Sequence, residues 1–122
     1  MKRSILIVDD DLGIREALTN IFRQAGYEPE GASTGAEALQ MIRGKKFDLV
    51  TMDMSMAEMD GIDAISIIRG ETNIPIIVIS AFLTDKIKDD LFKRNVHHYL
   101  DNPFTLNEVL SLVSRVMHNP PT

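Results

Sequence analysis

The chain has 122 residues, 44% hydrophobic and 25% charged, with a net charge of −5 and no cysteine. That length holds one domain around one core, the acidic balance excludes non-specific nucleic-acid binding by the whole domain, and disulfides and thiolate zinc sites are excluded outright. The apolar stretch near the start, "SILIV", is too short for a signal h-region or a membrane span.

That stretch, residues 4–8, is the first predicted strand, and it ends in Asp9, Asp10 and Asp11. Ile14, Leu18, Ile21, Phe22 and Ala25 follow at helical spacing, with Gly26 as the stop. "YEPEGAS" (27–33) is a polar strand, and Pro29, which cannot donate to a ladder, places it at a sheet edge. "TGAE" (34–37) reads as a capping box opening a helix through Leu39 and Ile42 that Gly44 closes. "DLVTM" (48–52) is a second apolar strand, and it too ends in an acid, Asp53. Ile62, Ile65 and Ile68 form a helical stripe ending before Gly70. "IPIIVIS" (74–80) is a third buried strand, ending at Ser80. Ile87 and Leu91 make a thin stripe over 84–93, and "VHHYL" (96–100) is the other edge strand. "TLNE" (105–108) is a second capping box, before Val109, Leu112, Val113 and Val116.

Strands apolar on both faces, alternating with helices, imply an α/β fold with a parallel sheet covered on both sides. Three apolar strands between two polar ones suggest the flavodoxin-like order 2-1-3-4-5. In such sheets ligands bind beyond the carboxyl ends of the strands. Strands 1 and 3 are then neighbours, so Asp9, Asp10 and Asp53 converge. Close carboxylate pairs repel by about 1 kcal/mol or more even when well screened. Mg²⁺, which takes one or two carboxylates and keeps several waters, relieves that. Asp11 has the position of a helix N-cap. His97 and His98 alternate along a strand, so they cannot chelate one ion together and read as edge-strand surface residues. His118 reads as tail. Met52, Met54, Met56 and Met59 read as packing, because thioethers do not suit Mg²⁺.

"ILIVDDD…R", "DLVTMDMSMAEMDG", "PIIVISA" and "YLDNPF", in this order and spacing, resemble the receiver domain of two-component response regulators, and most of all the single-domain receivers of chemotaxis and sporulation relays. The resemblance implies that Asp53 accepts a phosphoryl group from a histidine kinase or phosphotransfer protein. It implies Mg²⁺ held by Asp9, Asp10 (the more direct ligand), Asp53 and the backbone carbonyl of Ser55. Ser80 then contacts the phosphoryl oxygens, and Tyr99 is the aromatic that swings inward in response. It implies a phospho-accepting regulator rather than an enzyme, working in the cytoplasm without direct nucleic-acid or membrane contact. An output protein would meet helix 4, strand 5 and helix 5, and phosphorylation leaves room for a homodimer. Residues 1–118 form the domain on this reading, with 119–122 a tail or the start of a linker.

Four positions depart from the family pattern. Asn102 stands where the family has a lysine. A hydrogen bond to a charged group is worth roughly 1.5–3 kcal/mol, and the amide offers one without charge assistance. Lys86 and Lys88 are alternative sources of positive charge. Ala57 replaces a usual proline. Asn95 replaces a common glycine in a turn it can still form. Phe82 is bulky, and would shield an acyl phosphate from water. The family implies a cis peptide at Asn102–Pro103, which proline permits. Two other functions compete: a phosphorylation-independent docking module, and a Mg²⁺-dependent phosphohydrolase. The latter needs an Asp-x-Asp, and Ser55 occupies the second position.

Overall fold

Strand and helix alternate along the whole described chain, which in the computed structural model is residues 2–54, 61–81 and 83–118. β1 (Ser4–Val8) leads to α1 (Leu12–Gln24), β2 (Glu28–Ala32) to α2 (Gly35–Gly44) and β3 (Leu49–Asp53) to α3 (Gly61–Glu71). β4 (Ile76–Ser80) then leads to α4 (Asp85–Lys93), and β5 (His98–Asp101) to α5 (Leu106–His118). The strands form one parallel sheet in the order β2-β1-β3-β4-β5, the flavodoxin-like arrangement expected from the sequence.

Successive side chains on a strand face opposite ways, and the apolar residues sort accordingly. Ile5 and Ile7 of β1, Leu49 of β3, and Ile77 and Ile79 of β4 pack with Leu18 and Phe22 of α1 and with Leu112, Val113 and Val116 of α5. Leu6, Val8, Val50, Met52, Ile76 and Val78 pack on the other face, with Leu39 of α2, Ile65 and Ile68 of α3 and Leu91 of α4. The central strands are apolar throughout because each lies between two cores. Each fully buried Leu, Ile or Phe contributes roughly 1.5–3 kcal/mol relative to exposure.

Local chemistry sets the helix ends. Asp11 caps α1, accepting from the Ile14 N–H at 3.1 Å. Thr34 and Thr84 do the same for Glu37 and Ile87. Thr105 and Glu108 form the full reciprocal box, at 2.9 and 3.1 Å. The first box is only half formed, because the Glu37 carboxylate accepts from the Ser33 hydroxyl rather than from the Thr34 N–H. Gly26 takes a positive φ of 95° after α1, and Asn95 one of 59° before β5. α3 does not stop before Gly70 but continues to Glu71, whose carboxylate pairs with Arg43 of α2. β3 begins one residue later than the apolar run suggests, because the Asp48 carboxylate accepts from the Ser4 N–H at 2.8 Å. No helix among the described residues is long and apolar enough to cross a membrane.

The thin apolar stripe of α4 has a structural counterpart. Leu91 is its one fully buried residue, with Ile87 half-buried. Leu91→Ala should destabilise the protein by about 2–4 kcal/mol in urea denaturation. Amide exchange should accelerate in α4 well beyond any change in α5.

Candidate functional site

The two-residue period of the strands builds the site. Asp9 follows Ile5 and Ile7 in parity, and Asp53 follows Leu49 and Thr51, so both aspartates project from the α1/α5 side of the sheet. Val8 pairs with Met52, which brings the next residues, Asp9 and Asp53, side by side. Carboxylate oxygens of Asp9, Asp10 and Asp53 all lie within 4.8 Å of one another. Asp9 is buried, Asp53 half-buried and Asp10 exposed.

Asp9 is tied down on every side. Its N–H donates to the Ala32 carbonyl at 3.1 Å, anchoring it to β2. Its carboxylate accepts the Asp11 N–H at 2.9 Å, and its carbonyl accepts Nη1 of Arg15 at 2.7 Å. Burial pushes the Asp9 carboxyl up to about 6; the Asp11 N–H opposes this, and Asp53 and Asp10 reinforce it. The Asp53 carboxylate stands close enough to Asp9 to favour its protonated form. The donor set fits a hard dication: two oxygens bound to one Mg²⁺ at about 2.1 Å lie at most about 4.2 Å apart, close to the spread seen here.

Ser80 and Asn102 reach the same edge. Ser80 is 7% exposed, and its carbonyl accepts the Asn102 N–H at 3.0 Å. The Met54 N–H donates to Ile79 at 3.3 Å, linking the end of β3 to β4. Asn102–Pro103 is cis, as expected, and Asp101 beside it is exposed. Tyr99 is half-buried against the α3/α4 core, its hydroxyl donating to the Val96 carbonyl at 3.2 Å. The Lys88 ammonium lies 5.6 Å from the Tyr99 ring centroid, over the aromatic. Ser55, Ala57 and Phe82 lie outside the described residues, as do Met56 and Met59. Met52 is fully buried, and Met54 packs against the same core.

The histidines stand away from the carboxylates. His97 precedes β5, is exposed, and has its ring edge-on to Phe92 with centroids 5.1 Å apart. His98 is half-buried rather than a plain surface residue, and its pKa is lowered by burial, then by His97 and Arg115. Two residues gain roles that the sequence pattern did not assign. Arg15 braces the Asp9 peptide. Gly61 opens α3 against the end of β3, where an added Cβ would lie 3.0 Å from the Asp53 carbonyl. Arg15 stands four residues after Asp11, a one-turn spacing that could have pointed to it.

Residues 5–114 match the family model of the response regulator receiver domain. The chain is 37% identical over 118 residues to the chemotaxis protein CheY of Thermotoga maritima, covering 95% of this chain and 98% of that one. It is 34% identical over 114 residues to the regulatory protein AtoC of Escherichia coli, covering 93% of this chain but 25% of AtoC. A structure of the chemotaxis protein CheY4 of Vibrio cholerae superposes with a TM-score of 0.92 at 27% identity, covering 95% of this chain and 99% of that one.

The raised Asp9 pKa sets a sign for stability against pH. Below the ordinary value of 3.8 the carboxyl is protonated both folded and unfolded. As pH rises towards about 6, the unfolded chain releases that proton first, so metal-free stability falls. Asp9→Asn should therefore raise metal-free stability at pH 7.5 by on the order of 2 kcal/mol. The gain should vanish near pH 4 in urea denaturation.

Proposed function

The chain belongs to the response regulator receiver domain family of two-component systems, and from that premise we propose that it accepts a phosphoryl group on Asp53 from a phosphohistidine. The donor is a histidine kinase or phosphotransfer protein. The convergence of Asp9, Asp10 and Asp53 at the end of β1 and β3 carries this reading. Receiver domains are regulators, and the chemistry here serves a change of state rather than turnover.

In the transfer, an Asp53 oxygen forms the bond to phosphorus as the phosphorus–nitrogen bond breaks. The bonding pair returns to the donor imidazole. Bound Mg²⁺ would neutralise the carboxylates and the phosphoryl oxygens in a reaction that depends on positioning and charge. Asp9 and Asp10 would hold it with Asp53, and the family implies the Ser55 carbonyl as a further ligand. Buried Asp9, fixed by Arg15, Asp11 and Ala32, supplies a ligand with little freedom to lose. Ser80 donates its hydroxyl to a phosphoryl oxygen, and Tyr99 changes its seat in response. Asn102 donates an uncharged hydrogen bond where the family has an ammonium. The phosphoryl group adds about two negative charges, and the surface of α4, β5 and α5 presents the change to an output partner or a second copy. The chain works in the cytoplasm, where its donors are charged with phosphate.

A second reading has an observation of its own. Asn102 and the exposed Asp101 leave the end of β5 without a positive side chain at the lysine position. A receiver that docks its partner without phosphorylation would tolerate that.

Acetyl phosphate, or beryllofluoride, with Mg²⁺ separates the two. A single-phosphoryl mass gain on Asp53, absent in Asp53→Asn, with NMR shifts at Ser80 and Tyr99, is the expected result. An unlabelled Asp53 and unmoved resonances would overturn the phospho-acceptor reading and favour the docking module. Asn102→Lys should speed labelling by roughly tenfold, the equivalent of about 1.4 kcal/mol of charge assistance.

A further inference from the structure

Gly61 begins α3 with its Cα against the peptide that carries Asp53. A Cβ added there would lie 3.0 Å from the Asp53 carbonyl oxygen, 3.0 Å from the Met54 Cα and 2.8 Å from the Met54 Sδ. The sulfur ends a flexible side chain and can turn aside. The other two atoms are backbone and give way only if the Asp53–Met54 peptide itself shifts. Gly61 is not among the positive-φ glycines, so an alanine would meet no dihedral penalty there. What requires glycine is space.

Two rigid bodies meet at that contact. α3 is seated through Ala64, Ile65 and Ile68, all fully buried. β3 lies inside the sheet, with Asp53 in register with Ile79 and the Met54 N–H on the Ile79 carbonyl. Neither the helix nor the strand can retreat without opening a packed core. The softest element between them is the Asp53–Met54 peptide, just where the chain leaves the strand. Any displacement of that peptide turns the Asp53 side chain relative to Asp9 and Asp10.

We infer that Gly61 is a positioning residue for the Asp53 carboxylate: its missing side chain lets α3 press on the Asp53 peptide and fixes how Asp53 faces Asp9 and Asp10. The inference rests on the reading of those three carboxylates as one cation site. Its metal-free arm can be scored apart from that reading. Gly70, on the same helix with nothing within 4 Å of an added Cβ, is the internal control.

The experiment compares wild type, Gly61→Ala and Gly70→Ala by amide NMR without metal, by Mg²⁺ titration and by thermal melting. Gly61→Ala should shift the resonances of Asp9 and Asp10 as well as those of Asp53 and Met54. It should weaken Mg²⁺ binding about tenfold with the sheet intact. Gly70→Ala should raise the melting temperature and leave both the Asp9 and Asp10 resonances and the Mg²⁺ affinity unchanged. If Gly61→Ala folds poorly, Met54→Ala/Gly61→Ala keeps only the backbone contacts and takes its place, with the same shifts and weakening expected. Shifts confined to residues 53, 54 and 61, or a melting loss with unchanged Mg²⁺ affinity, would overturn the inference. A wild type that binds no Mg²⁺ would count against the cation site, and the metal-free shifts would still decide the role of Gly61.

Discussion

The parallel register of β1 and β3 is the constraint on which the site depends. Because the strands run the same way, every carboxyl terminus arrives at one edge of the sheet. Because Val8 pairs with Met52, the two residues that follow them are brought together. Both then stand on the α1/α5 side by parity. A one-residue slip of either strand would turn its aspartate to the opposite face and its core residues with it. The same apolar packing that fixes the sheet therefore fixes the carboxylates, and like charges are assembled against their own repulsion by the burial of Ile5, Ile7 and Leu49.

Around that register the backbone is fastened piece by piece. Asp9 is held by Ala32 from β2, by Asp11 from the start of α1 and by Arg15 one turn later. The far side is fastened by the Ser80 carbonyl on the Asn102 N–H and by the Ile79 carbonyl on the Met54 N–H. Residues from β1, β3, β4 and the turn after β5 thus share one hydrogen-bonded rim. Preorganisation of this kind suits the phosphoryl transfer we propose, in which position and charge do most of the work. α4 stands apart, anchored by Leu91, with Lys88 over the Tyr99 ring and Phe92 against His97. An element so lightly attached can respond to a change at the rim while the two cores stay whole.

The fold and the acidic cluster were legible in the sequence because both follow from short periods. Alternation of apolar runs and helical stripes identified the elements, and acids after two neighbouring strands located the cluster. Caps at Asp11 and Thr105 were readable because they depend on residues three apart. What lay beyond reach depends on distances between segments. The contact of Gly61 with the Asp53 peptide exists because α3 is pressed down by Ile65 and Ile68, which no local pattern reports. The half-burial of His98 is a tertiary matter, with Arg115 of α5 among the charges it feels. Glu37 found Ser33 instead of the backbone, and α3 ran past Gly70 to a residue that pairs with Arg43. For Gly61, His98 and Glu71 a tertiary partner outweighed the local signal; for Glu37 a competing local partner, the Ser33 hydroxyl, did.

The edges of the sheet bear on how this chain can associate. β2 presents Glu28, Pro29 and Glu30 along its length; Pro29 offers no N–H, and Glu30 is paired with Lys45. β5 has only four residues, ending in an exposed acid. Charge, proline and brevity are the features that keep a sheet from growing by annexing a strand from another molecule. With templating discouraged at both margins, recognition of this protein falls to its helices and loops, which can be engaged and released without disturbing the ladder beneath them.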